Sequence, residues 1–116
     1  MAGESVGKDV SKILIVDDVE ENRFVLRDII LDMGCQPILT ENGAQALKMV
    51  ERFHPQLIIS DVAMPEMDGH ELCRKIKENT VTRDIPVVFI SAFDEPADIV
   101  KAVSYTHLTL PTMAVV

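Results

Sequence analysis

Apolar residues along this chain follow two alternating spacings, which predict a protein built from strands and helices in turn. Short runs with strand character occupy residues 12–16, 36–40, 57–60 and 85–90. Continuous apolar runs of this kind are typical of strands that are covered on both faces. Pro37 lies near the start of the second run and indicates a strand at the edge of its sheet.

Each strand is followed by a stretch with the spacing of an amphipathic helix. We expect Asp18 or a neighbour to cap the first helix, Gly34 to end it, and Asp68 to lie at the start of the third. Pro96 is a favoured first residue for a fourth helix. The predicted core positions are Phe24, Val25, Ile29, Ile30 and Met33 in the first helix, Ala46, Leu47, Val50 and Phe53 in the second, Leu72, Cys73 and Ile76 in the third, and Ile99, Val100 and Val103 in the fourth.

Four strand–helix repeats with short connections predict an α/β fold, in which helices cover both faces of a parallel sheet. We place this single domain at residues 12–103. Residues 1–11 form a polar lead that we expect to be flexible. Residues 104–116 have no helical period and almost no charge, so this atypical tail is predicted not to be native to the domain.

Composition narrows the possible functions. A net charge of −8 argues against binding to a nucleic-acid backbone but is compatible with a cation site. Cys35 and Cys73 show no metal-ligand spacing, which favours free thiols in a reducing compartment. No apolar run approaches the roughly 18 residues that span a bilayer. We therefore expect a cytoplasmic protein with no membrane association.

Acidic residues follow two of the predicted strands. Asp17 and Asp18 come directly after the first strand, and Asp61 comes directly after the third. Because parallel strands end at a common edge, where such folds bind ligands, these three carboxylates should share one pocket. Carboxylates held together take up protons or recruit a positive charge, and oxygen-only ligands with room for water favour Mg²⁺. Ser91, after the fourth strand, offers a hydroxyl at the same edge.

Each of these groups alone has a plainer explanation. An acid pair after a strand is often a helix cap with a solvated neighbour, Asp61 alone fits a loop acid, and Ser91 alone fits a strand-end hydroxyl. Their conjunction at the ends of three strands favours a functional site. The chain carries no glycine-rich nucleotide-binding loop.

Segments 13–18, 61–69 and 86–92 resemble, in order and close to the expected spacing, the signatures of the receiver domain of two-component response regulators. The resemblance covers about residues 12–103. It implies a flavodoxin-like, doubly wound parallel sheet with the strand order 2-1-3-4-5. It also implies a signalling module that is not an enzyme beyond its own phosphoryl transfer and dephosphorylation.

The same resemblance assigns roles to individual residues. Asp61 would accept a phosphoryl group from a histidine kinase or a histidine phosphotransfer protein. Asp18 and Asp61 would bind Mg²⁺ directly, Asp17 would act through water, and the backbone carbonyl of Ala63 would be a further ligand. Ser91 would be the switch hydroxyl. The parent protein could also carry an effector domain.

The chain departs from the family near its end. Where the family's spacing places a lysine followed by proline, this chain has Met113, and its only nearby proline, Pro111, follows Leu110. We therefore predict that the fifth strand and fifth helix are missing or replaced, which would expose an edge and favour self-association. The alternative function is a degenerate receiver, which acts as an interaction module that does not switch. A separate aspartyl phosphatase is disfavoured because Ala63, and not an acid, stands two residues after Asp61.

Overall fold

The computed structural model describes residues 11–90, whose strands form one parallel sheet. Its order is β2-β1-β3-β4, which confirms the α/β fold and the predicted order of these strands. The predicted fourth helix, Ser91, the fifth-strand region and the 104–116 tail lie outside the described residues. The strands are β1 (Lys12–Val16), β2 (Gln36–Thr40), β3 (Leu57–Asp61) and β4 (Val87–Ile90).

The predicted boundaries of β1 and β2 are confirmed, and β2 lies at an edge of the described sheet as Pro37 indicated. Strand β3 extends one residue further than predicted, to Asp61. Strand β4 begins at Val87 and not at residue 85. Pro86 has no N–H to donate, although its carbonyl accepts a hydrogen bond from the Ile58 amide (3.0 Å).

The helices of the described chain are α1 (Glu20–Asp32), α2 (Gly43–Phe53) and α3 (Gly69–Glu78). The side chains of Asn42 and Asp68 cap α2 and α3, because each accepts a backbone N–H three residues later at 2.8 Å. Among the described residues, none of the helices combines the length and apolarity needed to cross a bilayer.

The start of α1 differs from the prediction. Val19, and not Asp18, is its first flanking residue, and no side chain caps this end. The other end is as expected, since Gly34 follows α1 with a φ of 81°, a conformation that glycine adopts without strain.

Alternate residues of the central strands face opposite layers of helices. Ile13 and Ile15 pack against α1, whereas Leu14 and Val16 pack against α2 and α3. The α1 layer contains Ile13, Ile15, Leu26, Ile30, Cys35, Leu57 and Ile59, and the opposite layer contains Leu14, Val16, Ala46, Val50, Ile58, Met64, Leu72 and Ile76.

The buried face of α1 is rotated from the predicted one. Leu26 and Ile30 are its buried residues, whereas Phe24 and Val25 are 41% and 52% exposed. Ile29 and Met33 are half-buried against the same layer, as predicted. The Phe24 ring instead lies under the guanidinium of Arg27, 4.7 Å from ring centroid to Cζ.

Candidate functional site at the acidic edge of the sheet

The predicted acidic residues converge where β1 and β3 end. Val16 pairs with Ser60 in the parallel register, so Asp17 and Asp61 follow neighbouring partners at one edge. One carboxylate oxygen each from Asp17, Asp18 and Asp61 can be chosen such that all three lie within 4.8 Å of one another. The sequence prediction of a shared acidic pocket is thus matched by the geometry.

Asp17 is fixed by hydrogen bonds on every side. The residue is 2% exposed, and its Oδ1 accepts the Val19 N–H at 2.8 Å, while the side chain of Asn22 provides a second hydrogen bond. Its backbone N–H donates to the Thr40 carbonyl (3.2 Å), and its carbonyl accepts from Nη1 of Arg23 (2.8 Å). These contacts hold both the main chain and the side chain of Asp17.

The surroundings of Asp17 favour its neutral form. Burial raises the pKa of the carboxyl group, and the nearby Asp61 and Asp18 carboxylates raise it further. The hydrogen bonds from Val19 and Asn22 lower the same pKa and only partly offset these effects. A proton or a cation in the pocket would therefore relieve the repulsion.

Asp61 is the more accessible carboxylate at the strand end. It is half-buried, and its Oδ1 accepts the Ala63 N–H in a long hydrogen bond of 3.3 Å. The Ser60 hydroxyl donates to the Asp61 carbonyl at 2.9 Å, which fixes the main chain beneath it. Asp18 is exposed at the pocket's rim, and Ala63 is exposed on the loop that follows Asp61.

The loop of residues 62–68, which we call the acceptor loop, folds back onto the end of β3. Gly69 closes it by donating its N–H to the Val62 carbonyl at 2.9 Å. A Cβ at Gly69 would collide with the Asp61 carbonyl, so only glycine allows this close approach. Met64 is buried in the core and anchors the middle of the loop.

Of the predicted site residues, Asp17, Asp18 and Asp61 come together, Ala63 lies on the adjoining loop, and Ser91 lies beyond the described residues. The sequence analysis does not identify Asn22 and Arg23, whose side chains contact Asp17. Both belong to the first turn of α1, directly after the acid pair. Polar side chains at that place in the chain are the signal that could have identified them.

The fold and its acidic edge agree with comparisons of the whole sequence. A family model described as the response regulator receiver domain matches residues 13–108. The chain belongs to this family. Receiver domains of two-component systems are signalling modules rather than enzymes in the usual sense, and this domain shares the acidic pocket in its described part.

Individual relatives support the same assignment. The receiver domain is 41% identical over 88 residues to the response regulator PleD of Caulobacter vibrioides, and it is 36% identical over 86 residues to the polar-differentiation response regulator DivK of Brucella ovis. It spans 19% of PleD and 70% of DivK. PleD is therefore a much longer protein than this chain.

The fold is also shared with a solved structure, the signal receiver domain of a histidine kinase from Syntrophus aciditrophicus. The two have a TM-score of 0.80 at 29% sequence identity, over 88% of this chain and 93% of that one. The shared region thus amounts to nearly a complete receiver domain of that protein.

Proposed function

We propose that this receiver domain accepts a phosphoryl group on Asp61 from a histidine kinase or a histidine phosphotransfer protein, with Mg²⁺ bound beside it. The observation that carries the proposal is that three carboxylates share one pocket but differ in their exposure to solvent. Asp17 is buried and held by donors, Asp18 is exposed at the rim, and Asp61 lies between these extremes at a strand end.

Asp61 is the best placed nucleophile of the three. A phosphoryl donor must reach a carboxylate oxygen, and the 2% exposure of Asp17 excludes that approach. Asp61 is half-buried, and within residues 11–90 its side-chain hydrogen bond is the weak one from the Ala63 N–H to Oδ1. Its other oxygen is available for attack on phosphorus.

The donor set fits a hard divalent cation. Carboxylate oxygens from Asp17, Asp18 and Asp61 lie close enough to share one ion, and Asp17 is destabilised in its charged form without one. Asp18 and Asp61 would hold Mg²⁺ directly, Asp17 through water, and the Ala63 carbonyl would be a further ligand. When bound, Mg²⁺ would screen the negative charge of the approaching phosphoryl group.

The transfer itself exchanges one bond to phosphorus for another. An oxygen of Asp61 attacks the phosphorus of a phosphohistidine, and the P–N bond breaks with its electron pair left on the imidazole nitrogen. The product is an acyl phosphate on Asp61 with roughly two negative charges. The Ser60 hydroxyl, which donates to the Asp61 carbonyl, and the Gly69 N–H, which donates to the Val62 carbonyl, would hold the main chain around the nucleophile during the attack.

Ser91 is proposed as the switch hydroxyl. Asp61 pairs with Ile90 in the register of β3 and β4, and Ser91 is the next residue in the sequence. A hydroxyl there would hydrogen-bond the phosphoryl group on Asp61. The module would act in the cytoplasm, where it would relay the signal to an effector domain of its parent protein, and its net charge of −8 disfavours direct binding to nucleic acid.

Intact-mass measurement tests the proposal. With acetyl phosphate and Mg²⁺, the domain should gain one phosphoryl group, and Asp61→Asn should gain none because its amide is not nucleophilic. Asp32→Asn, which removes an exposed carboxylate at the end of α1, is the matched control and should be labelled normally. An adduct that persists in Asp61→Asn would contradict the assignment.

One sequence feature favours a second candidate, the degenerate receiver. No lysine or arginine follows Lys101, and Met113 stands where the family places its lysine. A phosphoryl group on Asp61 would then lack the lysine that the family provides as its cationic partner, which would weaken phosphorylation. If neither acetyl phosphate nor a phosphohistidine donor labels the domain, this second function replaces the first.

A further inference from the structure

Met67, on the acceptor loop, lies directly against the first residue of α2. A Cβ added to Gly43 would come within 2.5 Å of Sδ, 2.9 Å of Cγ and 3.0 Å of Cβ of Met67. The first two distances are shorter than packed atoms allow, and the third is tighter than most packed contacts. The Met67 side chain therefore crosses the bare main chain of Gly43 along most of its length, and only glycine at position 43 leaves room for it.

The main chain next to Met67 is in a conformation that needs support. Glu66 has a φ of 68°, which is uncommon for a residue other than glycine, and the Met67 N–H donates to the Pro65 carbonyl at 2.8 Å across this turn. Strained turns persist only when surrounding contacts hold them. The contact of Met67 with Gly43 is such a support.

Within the described part of the chain, the space between α2 and this part of the loop is only partly filled. A half-open surface pocket of about 210 Å³ lies there, and its walls include Asn42, Ala44 and Glu71 as well as the two contacting residues. Loss of the Met67 contact would therefore leave the loop room to move. Its fixed points would then be the buried Met64 and the Gly69 hydrogen bond to Val62.

We propose that Gly43 and Met67 are positioning residues for phosphoryl transfer, which hold the acceptor loop, and with it the Ala63 ligand group and the Asp61 side chain, in the reactive arrangement. This inference rests on the proposed function of Asp61. Neither residue touches the phosphoryl group. They act through the loop that joins Met67 to Ala63, whose N–H donates to Asp61.

The variant Gly43→Ala separates this role from general stability. Because an added Cβ would overlap Sδ and Cγ of Met67, the Met67 side chain must leave its place against α2, and the loop loses this contact. Helix α2 itself should tolerate the change, since alanine has the higher helix propensity and Gly43 has no positive φ. We expect the phosphorylation rate constant with acetyl phosphate to fall on the order of tenfold. The free energy of unfolding should fall little in comparison.

A double-mutant cycle identifies the contact. Met67→Ala should also slow phosphorylation, because it removes the support, but in that background Gly43→Ala should have no further effect. If Gly43→Ala slows phosphorylation equally in both backgrounds, or in neither, the pair does not position the loop and the inference is overturned.

Hydrogen exchange gives a readout that does not depend on phosphorylation. The Gly69 and Ala63 amides, which donate to Val62 and Asp61, should exchange faster in Gly43→Ala than in the unmodified domain. If the unmodified domain is not phosphorylated at all, the proposed function fails while the exchange rates still test the pair. Unchanged exchange at both amides would overturn the inference even if phosphorylation occurs.

Discussion

At the scale of single residues, the surroundings of Asp17 determine how its protonation affects stability. Its pKa is raised in the folded domain, chiefly by burial and then by Asp61 and Asp18, so folding favours the protonated form. The stability that Asp17 contributes is fully present below the pKa of the unfolded chain and is lost as the pH rises through the higher pKa of the folded domain. At neutral pH, without metal, the charge on Asp17 therefore destabilises the fold.

We predict that Asp17→Asn raises the free energy of unfolding of the metal-free domain at neutral pH. The amide keeps an oxygen for the Val19 N–H but carries no charge to repel Asp61. The gain should shrink as the pH falls and Asp17 of the unmodified domain becomes protonated. Urea unfolding in the presence of a chelator, repeated between neutral and acidic pH, measures both effects.

The control for this prediction is Asp32→Asn, which removes an equal charge from an exposed site far along α1. Asp17→Asn should also bind Mg²⁺ more weakly than this control. If Asp17→Asn is less stable than the unmodified domain at neutral pH without metal, the stabilising effect of the hydrogen bonds to the Asp17 carboxylate exceeds the cost of burying its charge, and the prediction is wrong.

Among the elements, α1 shows where sequence pattern reaches its limit. Leu26, Ile29, Ile30 and Met33 share one face by helical spacing, but Phe24, Val25 and Leu31 make other parts of the surface apolar as well. The helix then has two overlapping apolar faces, both with helical spacing, and packing against the sheet determines which one is buried. The prediction named Phe24 and Val25 as core and omitted Leu26, which is 2% exposed.

This difference can be measured with two leucines of one helix. Leu26→Ala should lower the free energy of unfolding by about 2–4 kcal/mol, because it leaves a cavity between α1 and the sheet. Leu31→Ala makes the same chemical change at a side chain that is 53% exposed, and it should cost less than about 0.5 kcal/mol. Chemical denaturation measures the free energy of unfolding of both variants. Equal losses in the two variants would contradict the observed orientation of α1.

At the scale of the whole molecule, metal binding and folding should be linked. The acidic pocket joins the ends of β1 and β3, so it exists only in the folded chain. An ion that binds only the folded state stabilises it, by about 2.7 kcal/mol at a concentration 100 times its Kd. We predict that Mg²⁺ raises the melting temperature of this domain beyond the effect of NaCl at the same ionic strength. Asp61→Asn should reduce that difference, and an equal response to both salts would argue against the site.

The parts that the sequence predicts well share a physical cause. Strands such as Leu57–Asp61 are buried on both faces, so their composition identifies them, and Asp68, which is expected at the start of the third helix, is a residue type that caps helices. The acid pocket follows from strand ends that share an edge. By contrast, the Arg23 contact with the Asp17 carbonyl and the fit of Met67 over Gly43 depend on distances between separate elements. The pattern of residues within one helix or strand does not predict such distances.

The strand order has a consequence for how the chain is made. β1 lies between β2 and β3, with Ile13 opposite both Pro37 and Leu57. During synthesis from the N-terminus, β1 and β2 leave the ribosome first and can pair, but the other edge of β1 has no partner until β3 follows. For that interval a strand as apolar as Ile13 to Val16 presents free backbone groups to other nascent chains. Translation speed between Thr40 and Leu57 therefore sets how long this domain is open to misassembly.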